Sequence, residues 1–209
     1  MLNFREIYTE ALRIEARSIE SMAERLDPEV VDKIVHLLAG LKANGKKAIL
    51  AGCGTSGAAA KKISHTLNVI EVPSFFLSPA DSVHGGLGAI QEGDAVILIS
   101  KGGNTGELLN YVPACRAKGA TIIAVSENPE SKLAKCADIF LRVWVDHEPC
   151  PWNMVATAST LAVISVWDAI ALCTMRINGF TQEQFQLIHP SGAVGEKLSK
   201  ILEEREEKK

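Results

Sequence analysis

The sequence has few cysteines, and their spacing fits neither a disulfide framework nor a metal site. Five cysteines are scattered over 209 residues, their number is odd, and no two form a Cys-x-x-Cys pair. Structural zinc sites need closely spaced ligands, and disulfide-stabilised domains need paired cysteines. We therefore expect a reduced, cytoplasmic protein that holds no metal. The N-terminus MLNFRE carries charges where a signal peptide needs an apolar core, so we expect no export.

Positive charge is not in excess either. Against 22 Lys and Arg residues stand 25 Asp and Glu residues, which gives a formal net charge of −3. A surface that binds nucleic acid neutralises phosphates with an excess of basic side chains. Nucleic acid is therefore not an expected partner.

An undiluted apolar run of membrane-spanning length is also missing, although residues 154–175 come close. Asp168 is the one charged residue in this segment, and its length would suit a bilayer. Polar residues, among them Thr157, Ser159 and Thr160, dilute its hydrophobic character. We interpret the segment as a helix buried in a core or a subunit interface, and we expect no membrane association.

Short apolar runs follow one another from residue 47 onward and are separated by helical stretches. The runs are continuously apolar, which is typical of strands that are covered on both faces. The predicted strands are 48–51, 74–77, 95–99, 121–125 and 139–141, and the predicted helices between them are 56–69, 105–118 and 130–136. This alternation predicts an α/β fold, namely a three-layer α-β-α sandwich around a five-stranded parallel sheet.

Two amphipathic helices precede this pattern. Asp27-Pro28 separates them, and Asn44-Gly45 ends the second helix. We expect residues 1–44 to pack on the domain and at a subunit interface. Residues 45–209 are expected to form the domain itself, including its C-terminal helices.

A glycine-rich loop, GCGTSG at residues 52–57, follows the first predicted strand. It matches the G-x-G-x-x-G pattern of dinucleotide sites, but the next strand does not end in the acidic residue that would hold a ribose. A phosphate site explains the loop better. Glycines such as Gly54 let the backbone approach an anion, the helix start offers free N–H groups, and Thr55 and Ser56 add hydroxyl donors.

A second loop of this kind follows the third predicted strand and contains a lysine. Its candidate phosphate ligands are Ser100, Lys101, Gly103, Asn104 and Thr105. Asn104 or Thr105 could also be a plain helix cap. Two such loops at neighbouring strand ends are expected to surround one phosphate, because ligands of parallel sheets bind at the carboxyl ends of the strands.

Three residues outside these loops are candidate acid–base groups. His84 follows the second strand, Glu148 follows the fifth, and His189 lies in the C-terminal region. A lone histidine is more often structural than catalytic. No metal-binding spacing links the three, and no G-x-S-x-G motif indicates a serine hydrolase.

These motifs resemble the sugar isomerase (SIS) domain and, within it, the arabinose-5-phosphate isomerase family. The motifs are GCGTSG at 52–57, SPADSVHGGLG at 78–88, SKGGNTGELL at 100–109, ENPESKLAKCAD at 127–138, EPCPWNMVATAST at 148–160 and GFTQEQFQLIHPSGAVGEKL at 179–198. The resemblance implies the SIS fold and an isomerase of D-arabinose 5-phosphate and D-ribulose 5-phosphate that needs no metal or nucleotide cofactor. It also implies a homotetramer whose sites borrow residues across subunits. Many members carry two CBS modules, which we do not expect in this chain.

The resemblance also assigns roles to residues. Glu148 matches the base that moves a proton between C1 and C2. His189 and His84 match groups that open the ring or polarise the carbonyl, and Glu107 is a further matching position. The main alternative is a non-catalytic, regulatory module that binds a sugar phosphate. A dinucleotide-dependent enzyme is a third and weaker hypothesis.

Two departures from the family pattern concern charge. The family loop G-x-G-K-S-G has a lysine where this chain has Thr55, and the family loop S-x-S-G-E-S has no lysine where this chain has Lys101. We expect Lys101 to supply the missing cation from the second loop. The alternative is that Lys101 points to solvent and has no role in binding.

Overall fold

The fold is built on a sheet of five parallel strands. A computed structural model describes residues 2–206. The strands are β1 (Ala48–Gly52), β2 (Ser74–Phe76), β3 (Ala95–Ile99), β4 (Thr121–Ser126) and β5 (Ile139–Arg142). Their order across the sheet is β2-β1-β3-β4-β5, and every neighbouring pair is parallel. The predicted five-stranded parallel sheet is confirmed.

Helices cover both faces of the sheet, as predicted. They are α1 (Phe4–Arg25), α2 (Pro28–Leu41), α3 (Gly54–Val69), α4 (Pro79–Ser82), α5 (Gly106–Leu109), α6 (Tyr111–Lys118), α7 (Lys132–Cys136), α8 (Ala158–Ile177), α9 (Gln182–Ile188) and α10 (Gly192–Glu206). Helices α1, α2, α3 and α8 share one hydrophobic core, while α5, α6 and α7 share the core on the opposite face.

The continuous apolar runs have a simple explanation in this architecture. Every residue of β1 and of β3 is buried. Leu50 and Ile97 point into the core beneath α2, α3 and α8, whereas Ile49 and Val96 point into the core beneath α5 and α6. Since successive strand residues face opposite sides, a sheet with helices on both faces needs apolar residues at every position.

The predicted helix over residues 105–118 is not continuous. It divides into α5 and α6, with Asn110 between them. Pro113 explains the break, because proline has no N–H to donate to the carbonyl of Leu109 and its ring crowds that carbonyl. In α6 the proline lies in the first turn, where a missing N–H costs little.

Helix α8 is the apolar segment that resembled a membrane span. It is the one helix, within residues 2–206, that is long and apolar enough to cross a membrane. It packs against α1, α2 and α3, and it buries Trp167 and Ile170 in the core. Its single acid, Asp168, forms an ion pair with Lys62 of α3. Core packing therefore accounts for the apolar residues on its buried face, whereas Leu172 and Ile177 are 56% and 53% exposed.

The strand order creates a crevice between two strand ends. From β1 the chain runs outward to β2 and then returns to β3 on the other side of β1. The carboxyl ends of β1 and β3 are direct neighbours, with Gly52 opposite Ile99. This is the topological switch point, where parallel sheets bind ligands, and both glycine loops begin there.

Candidate active site

A cleft lies between the carboxyl ends of β1 and β3 and the first turns of α8. It is lined by Thr55, Ser56, Ala59, Ile99, Lys101, Val125, Ser126, Val143, Ala156, Ser159, Thr160 and Val163. Three residues that we predicted from separate motifs, Thr55, Ser56 and Lys101, thus meet in one place. The cleft contains residues from both glycine loops, as expected for loops at adjacent strand ends.

The first glycine loop, residues 52–57, is shaped by close contact between backbones. A Cβ atom on Gly52 would lie 2.7 Å from the carbonyl carbon of Ser56, and one on Gly57 would lie 2.6 Å from the carbonyl oxygen of Gly52. Only glycine permits this approach. As a result α3 starts directly against the end of β1. The first N–H groups of a helix have no partner within it, so this end can receive an anion near Thr55 and Ser56.

The second glycine loop, residues 100–105, is held by side chains. The hydroxyls of Ser100 and Thr105 share a hydrogen bond of 2.8 Å, and the Gly103 N–H donates to Ser100 Oγ over 3.1 Å. The Asn104 side-chain oxygen accepts from the Lys132 N–H, so Asn104 braces the start of α7. Gly103 has a φ of +68°, and a Cβ there would lie 2.1 Å from Ser131 Oγ.

Glu148 is buried behind this cleft at the start of α8. Its Oε2 accepts hydrogen bonds from the N–H groups of Thr157 (3.0 Å) and Ser159 (3.3 Å), and its Oε1 accepts one from the Ser159 hydroxyl. The Glu148 N–H donates to the side chain of Asn153 over 2.6 Å. The carboxylate therefore caps α8, where the N-terminal N–H groups stabilise negative charge.

Lys101 forms an ion pair with Glu148. Its Nζ lies 2.7 Å from Glu148 Oε1; the Lys101 side chain is 37% exposed and the Glu148 side chain is 0% exposed. Burial raises the pKa of Glu148, but the Lys101 ammonium and the hydrogen bonds from Ser159 and Thr157 outweigh it, so the net pKa lies below its usual range. Glu148 is consequently ionised at neutral pH. The alternative that Lys101 simply points to solvent is wrong, because its ammonium binds the buried carboxylate behind the cleft.

The other predicted acid–base residues lie elsewhere on this chain. His84 is exposed in the turn after α4, and Glu107 is exposed in the first turn of α5. His189 follows α9, with its ring centroid 4.9 Å from that of Phe185. The cleft, as far as residues 2–206 form it, is lined by none of these three.

Three polar residues in the cleft were not identified as site residues from the sequence. Ser159 and Thr160 come from the first turn of α8, and Ser126 ends β4. The Ser126 hydroxyl donates to the Lys101 carbonyl over 2.7 Å and so fixes the backbone of Lys101. A usable signal existed, since Ser159 and Thr160 are hydroxyls at the start of an otherwise apolar segment.

A second, more polar cleft adjoins the first at Lys101. Its lining consists of Lys101, Glu127, Arg142, Trp144, Val145, Asp146, His147 and Asn153. The guanidinium groups of Arg142 and Arg25 lie 4.3 Å and 5.1 Å, respectively, from the centroid of the Trp144 ring. The charged groups here alternate in sign, so this cleft does not form a concentrated anion site.

Within residues 2–206, no cluster of three or more His, Cys, Asp or Glu side chains could hold a metal ion.

Comparisons with known proteins identify the family of this chain. A family model described as the SIS domain matches residues 43–172. The chain is 50% identical to a candidate sugar-phosphate isomerase from Listeria monocytogenes, with a TM-score of 0.87 over 90% of this chain and 97% of that one. An Escherichia coli CFT073 protein solved with arabinose 5-phosphate is 30% identical, with a TM-score of 0.80 over 91% of this chain and 100% of that one.

Curated relatives are longer than this chain. The arabinose 5-phosphate isomerase KdsD of Pseudomonas aeruginosa is 36% identical over 197 residues, which are 94% of this chain and 59% of that protein. The KpsF protein of Escherichia coli, also an arabinose 5-phosphate isomerase, is 36% identical over 90% of this chain and 59% of its own length. The chain thus spans about three fifths of the curated relatives that it matches.

Proposed function

The chain belongs to the SIS domain family, and we propose that it is an aldose–ketose isomerase of a small sugar phosphate. The observation that carries this proposal is that residues of the two glycine loops, Thr55, Ser56 and Lys101, line one cleft, and that Lys101 joins this cleft to the buried, ionised carboxylate of Glu148 behind it. The best substrate pair is D-arabinose 5-phosphate and D-ribulose 5-phosphate. The names of the curated relatives and the ligand of the E. coli CFT073 structure support this choice.

Phosphate is the part of the substrate that the two loops are suited to hold. The start of α3 offers N–H groups, and Ser56, Ser100 and Thr105 offer hydroxyls on the two sides of the crevice. Gly54 and Gly103, both at positive φ, shape the turns. Each charge-assisted hydrogen bond to the phosphate is expected to contribute about 1.5–3 kcal/mol.

Glu148 is proposed as the group that transfers the proton. It removes the hydrogen from C2 of the open-chain aldose, an enediol(ate) forms, and the proton is returned at C1 while the hydroxyl proton moves from O2 to O1. Substrate and product are isomers, so atoms and electrons balance without any oxidant or reductant. Because Glu148 is ionised in the ligand-free protein, it is ready to accept the proton.

The remaining acid–base groups are proposed to come from a neighbouring subunit. His189 and His84 would open the sugar ring or polarise the carbonyl, and Glu107 would assist. Support comes from large exposed apolar side chains, which soluble monomers seldom cluster. They include Phe4, Ile7, Tyr8 and Leu12 on α1, and Trp152 and Met154 before α8, which are 72% and 78% exposed.

We propose that these exposed apolar side chains form contacts in a homotetramer. We also propose that the protein is cytoplasmic. Sedimentation of the purified protein at micromolar concentration tests the assembly. A tetramer is expected, and a monomer at that concentration contradicts both the assembly and the shared site.

A non-catalytic sugar-phosphate sensor is the second candidate. It is favoured by the partners of Glu148, since a carboxylate that caps α8 and binds Lys101 has a complete structural role without catalysis. It is also favoured by the positions of His84 and His189 outside the cleft of the single chain.

Proton exchange in D₂O separates the candidates. The protein is incubated with arabinose 5-phosphate and with other pentose and hexose phosphates, and deuterium at C1 and C2 is followed by NMR. Incorporation that is lost in Glu148→Gln and kept in Glu127→Gln, a matched acid from the adjoining cleft, supports the isomerase. Binding without exchange supports the sensor. NAD-dependent absorbance would instead favour a dinucleotide enzyme.

A further inference from the structure

Lys101 is in contact with Glu148, and it also lines the cleft in which we expect an anion to bind. Its ammonium is 2.7 Å from Glu148 Oε1, and its side chain lines the same cleft as Thr55 and Ser56 of the first glycine loop. Its backbone belongs to the second glycine loop and is fixed there by Ser126. More than a third of the side chain is exposed, so the ammonium can turn toward a ligand without leaving a packed core.

Glu148 depends on this one cation. Its other partners, the N–H groups of Thr157 and Ser159 and the Ser159 hydroxyl, carry no formal charge. Within residues 2–206, Lys101 is the one cation at ion-pair distance from Glu148. Other charged and titratable groups, namely Glu127, Arg142, Asp146 and His147, line the adjoining cleft beyond Lys101, and Cys150 lies two positions along the chain from Glu148.

We propose that an anion bound at the two glycine loops competes with Glu148 for Lys101, so that anion binding and proton binding at Glu148 strengthen each other. The identity of the anion as a sugar phosphate rests on the proposed function, but the coupling does not. When Lys101 turns to the anion, Glu148 stays buried and loses its counter-charge.

Through this coupling, the proton affinity of Glu148 rises when substrate is bound. In the ligand-free protein the ion pair lowers the pKa of Glu148, which makes it a weak base. Release of Lys101 removes the largest of the influences that lower this pKa, so the proton affinity of Glu148 rises. A stronger base is then created by the binding of the molecule on which it acts.

Sulfate is the probe for this proposal, because it is a dianion that does not titrate between pH 5 and 8. Its binding is measured by calorimetry in buffers of different ionisation enthalpy, which reports the protons taken up. The expected result is proton uptake by the wild type that exceeds uptake by Glu148→Gln. In addition, Glu148→Gln should bind sulfate about three- to tenfold more tightly, since Lys101 is then free.

A double-mutant cycle shows whether the effect passes through Lys101. If it does, Glu148→Gln strengthens sulfate binding in the wild-type background and has little effect in the Lys101→Met background. If Glu148 merely repels the anion through space, the gain is the same in both backgrounds, and the proposal is overturned. Glu127→Gln is the matched control, because it removes a nearby negative charge and leaves the Lys101–Glu148 pair in place.

Two further outcomes bear on the proposal. If Glu148→Gln does not fold, Ser159→Ala replaces it: loss of the hydroxyl donor raises the proton affinity of Glu148 and shifts the uptake to higher pH, whereas an unshifted uptake contradicts the coupling. Absence of sulfate binding in the wild type also contradicts it. Sulfate binding needs no turnover, so the coupling can stand even if no substrate is isomerised.

Discussion

The two glycine loops hold their turns by different means. In the first loop the contact between Gly52 and Gly57 is a contact of backbones. In the second loop the hydroxyls of Ser100 and Thr105 and the amide of Asn104 hold the turn in place. An added carbon at Gly52 or Gly57 would press on backbone atoms, whereas one at Gly103 in the second loop would press on the side chain of Ser131.

This difference bears on where the cation of the site is placed. The second loop carries Lys101, and its neighbours brace the turn without using the lysine side chain. The first loop carries Thr55 in the first turn of α3, at the mouth of the same cleft. Both positions line this cleft, but of the two residues only Lys101 is paired with Glu148. Moving the cation from position 101 to position 55 would therefore separate it from Glu148.

The largest effect is expected from adding one carbon to the first loop. Gly52→Ala should lower the free energy of unfolding by about 3 kcal/mol, because the new Cβ would lie 2.7 Å from backbone atoms that cannot move without shifting α3. Denaturant unfolding followed by circular dichroism measures the loss.

Gly102→Ala in the second loop is the matched control. A Cβ at this position meets no atom within 4 Å, so the change should stay within about 0.5 kcal/mol. Equal losses in the two variants would show that the first loop is not fixed by its backbone.

The next largest effect is expected from loss of the ion pair between Lys101 and Glu148. Lys101→Met should lower the free energy of unfolding by about 2 kcal/mol at pH 7, since it leaves a buried carboxylate without its cation; partial exposure of Lys101 keeps the loss below that of a fully buried pair. Lys101→Arg, which keeps the charge, should recover much of this stability.

The loss in the free energy of unfolding caused by Lys101→Met should depend on pH in a defined direction. In the wild type the pKa of Glu148 is lowered on folding, so its stabilising contribution is present above the unfolded pKa and disappears as the pH falls through the folded pKa. In Lys101→Met that pKa is lowered less, because the largest influence that lowers it is gone, so Glu148 contributes less stability above the unfolded pKa. The difference between the two proteins should therefore be small at acidic pH and full at neutral pH. A difference that is constant with pH would contradict the role of this pair.

The sheet and the loops could be predicted from the sequence, but the pairing of Lys101 with Glu148 could not. Strands buried on both faces leave a continuous apolar signature, and a glycine loop after a strand is a local pattern. Lys101 and Glu148 are separated by 47 positions, and each had a separate interpretation, one as a phosphate ligand and the other as a base. Which charges meet depends on how β3 and the start of α8 pack, and no local pattern encodes that.

A smaller effect is expected from the hydroxyls of the two loops. Ser56→Ala combined with Thr105→Ala should weaken binding of arabinose 5-phosphate about tenfold, because a charged ligand loses hydrogen bonds on both sides of the crevice. Calorimetric titration measures the affinity, and the single variants divide the loss between the loops. Ser165→Ala, which changes a hydroxyl on α8 away from the cleft lining, serves as the control. An unchanged affinity in the double variant would place the phosphate elsewhere.

The smallest expected effect is the affinity that is recovered when the cation is moved from the second loop to the first. Lys101→Met alone should weaken binding of arabinose 5-phosphate by about 1.5–3 kcal/mol, the contribution of a charge-assisted hydrogen bond. Adding Thr55→Lys should recover about 1 kcal/mol of this loss, since position 55 lines the same cleft and faces the same anion. The recovery should be partial, because a lysine at position 55 starts from a helix N-terminus, where positive charge is unfavourable. Ala58→Lys in the Lys101→Met background adds the same charge on an exposed turn of α3 outside the cleft lining, and it should recover little. Equal recovery by both lysines would mean that the phosphate is attracted by net charge and not by a contact made in the cleft. The two loops would then be interchangeable only as sources of charge.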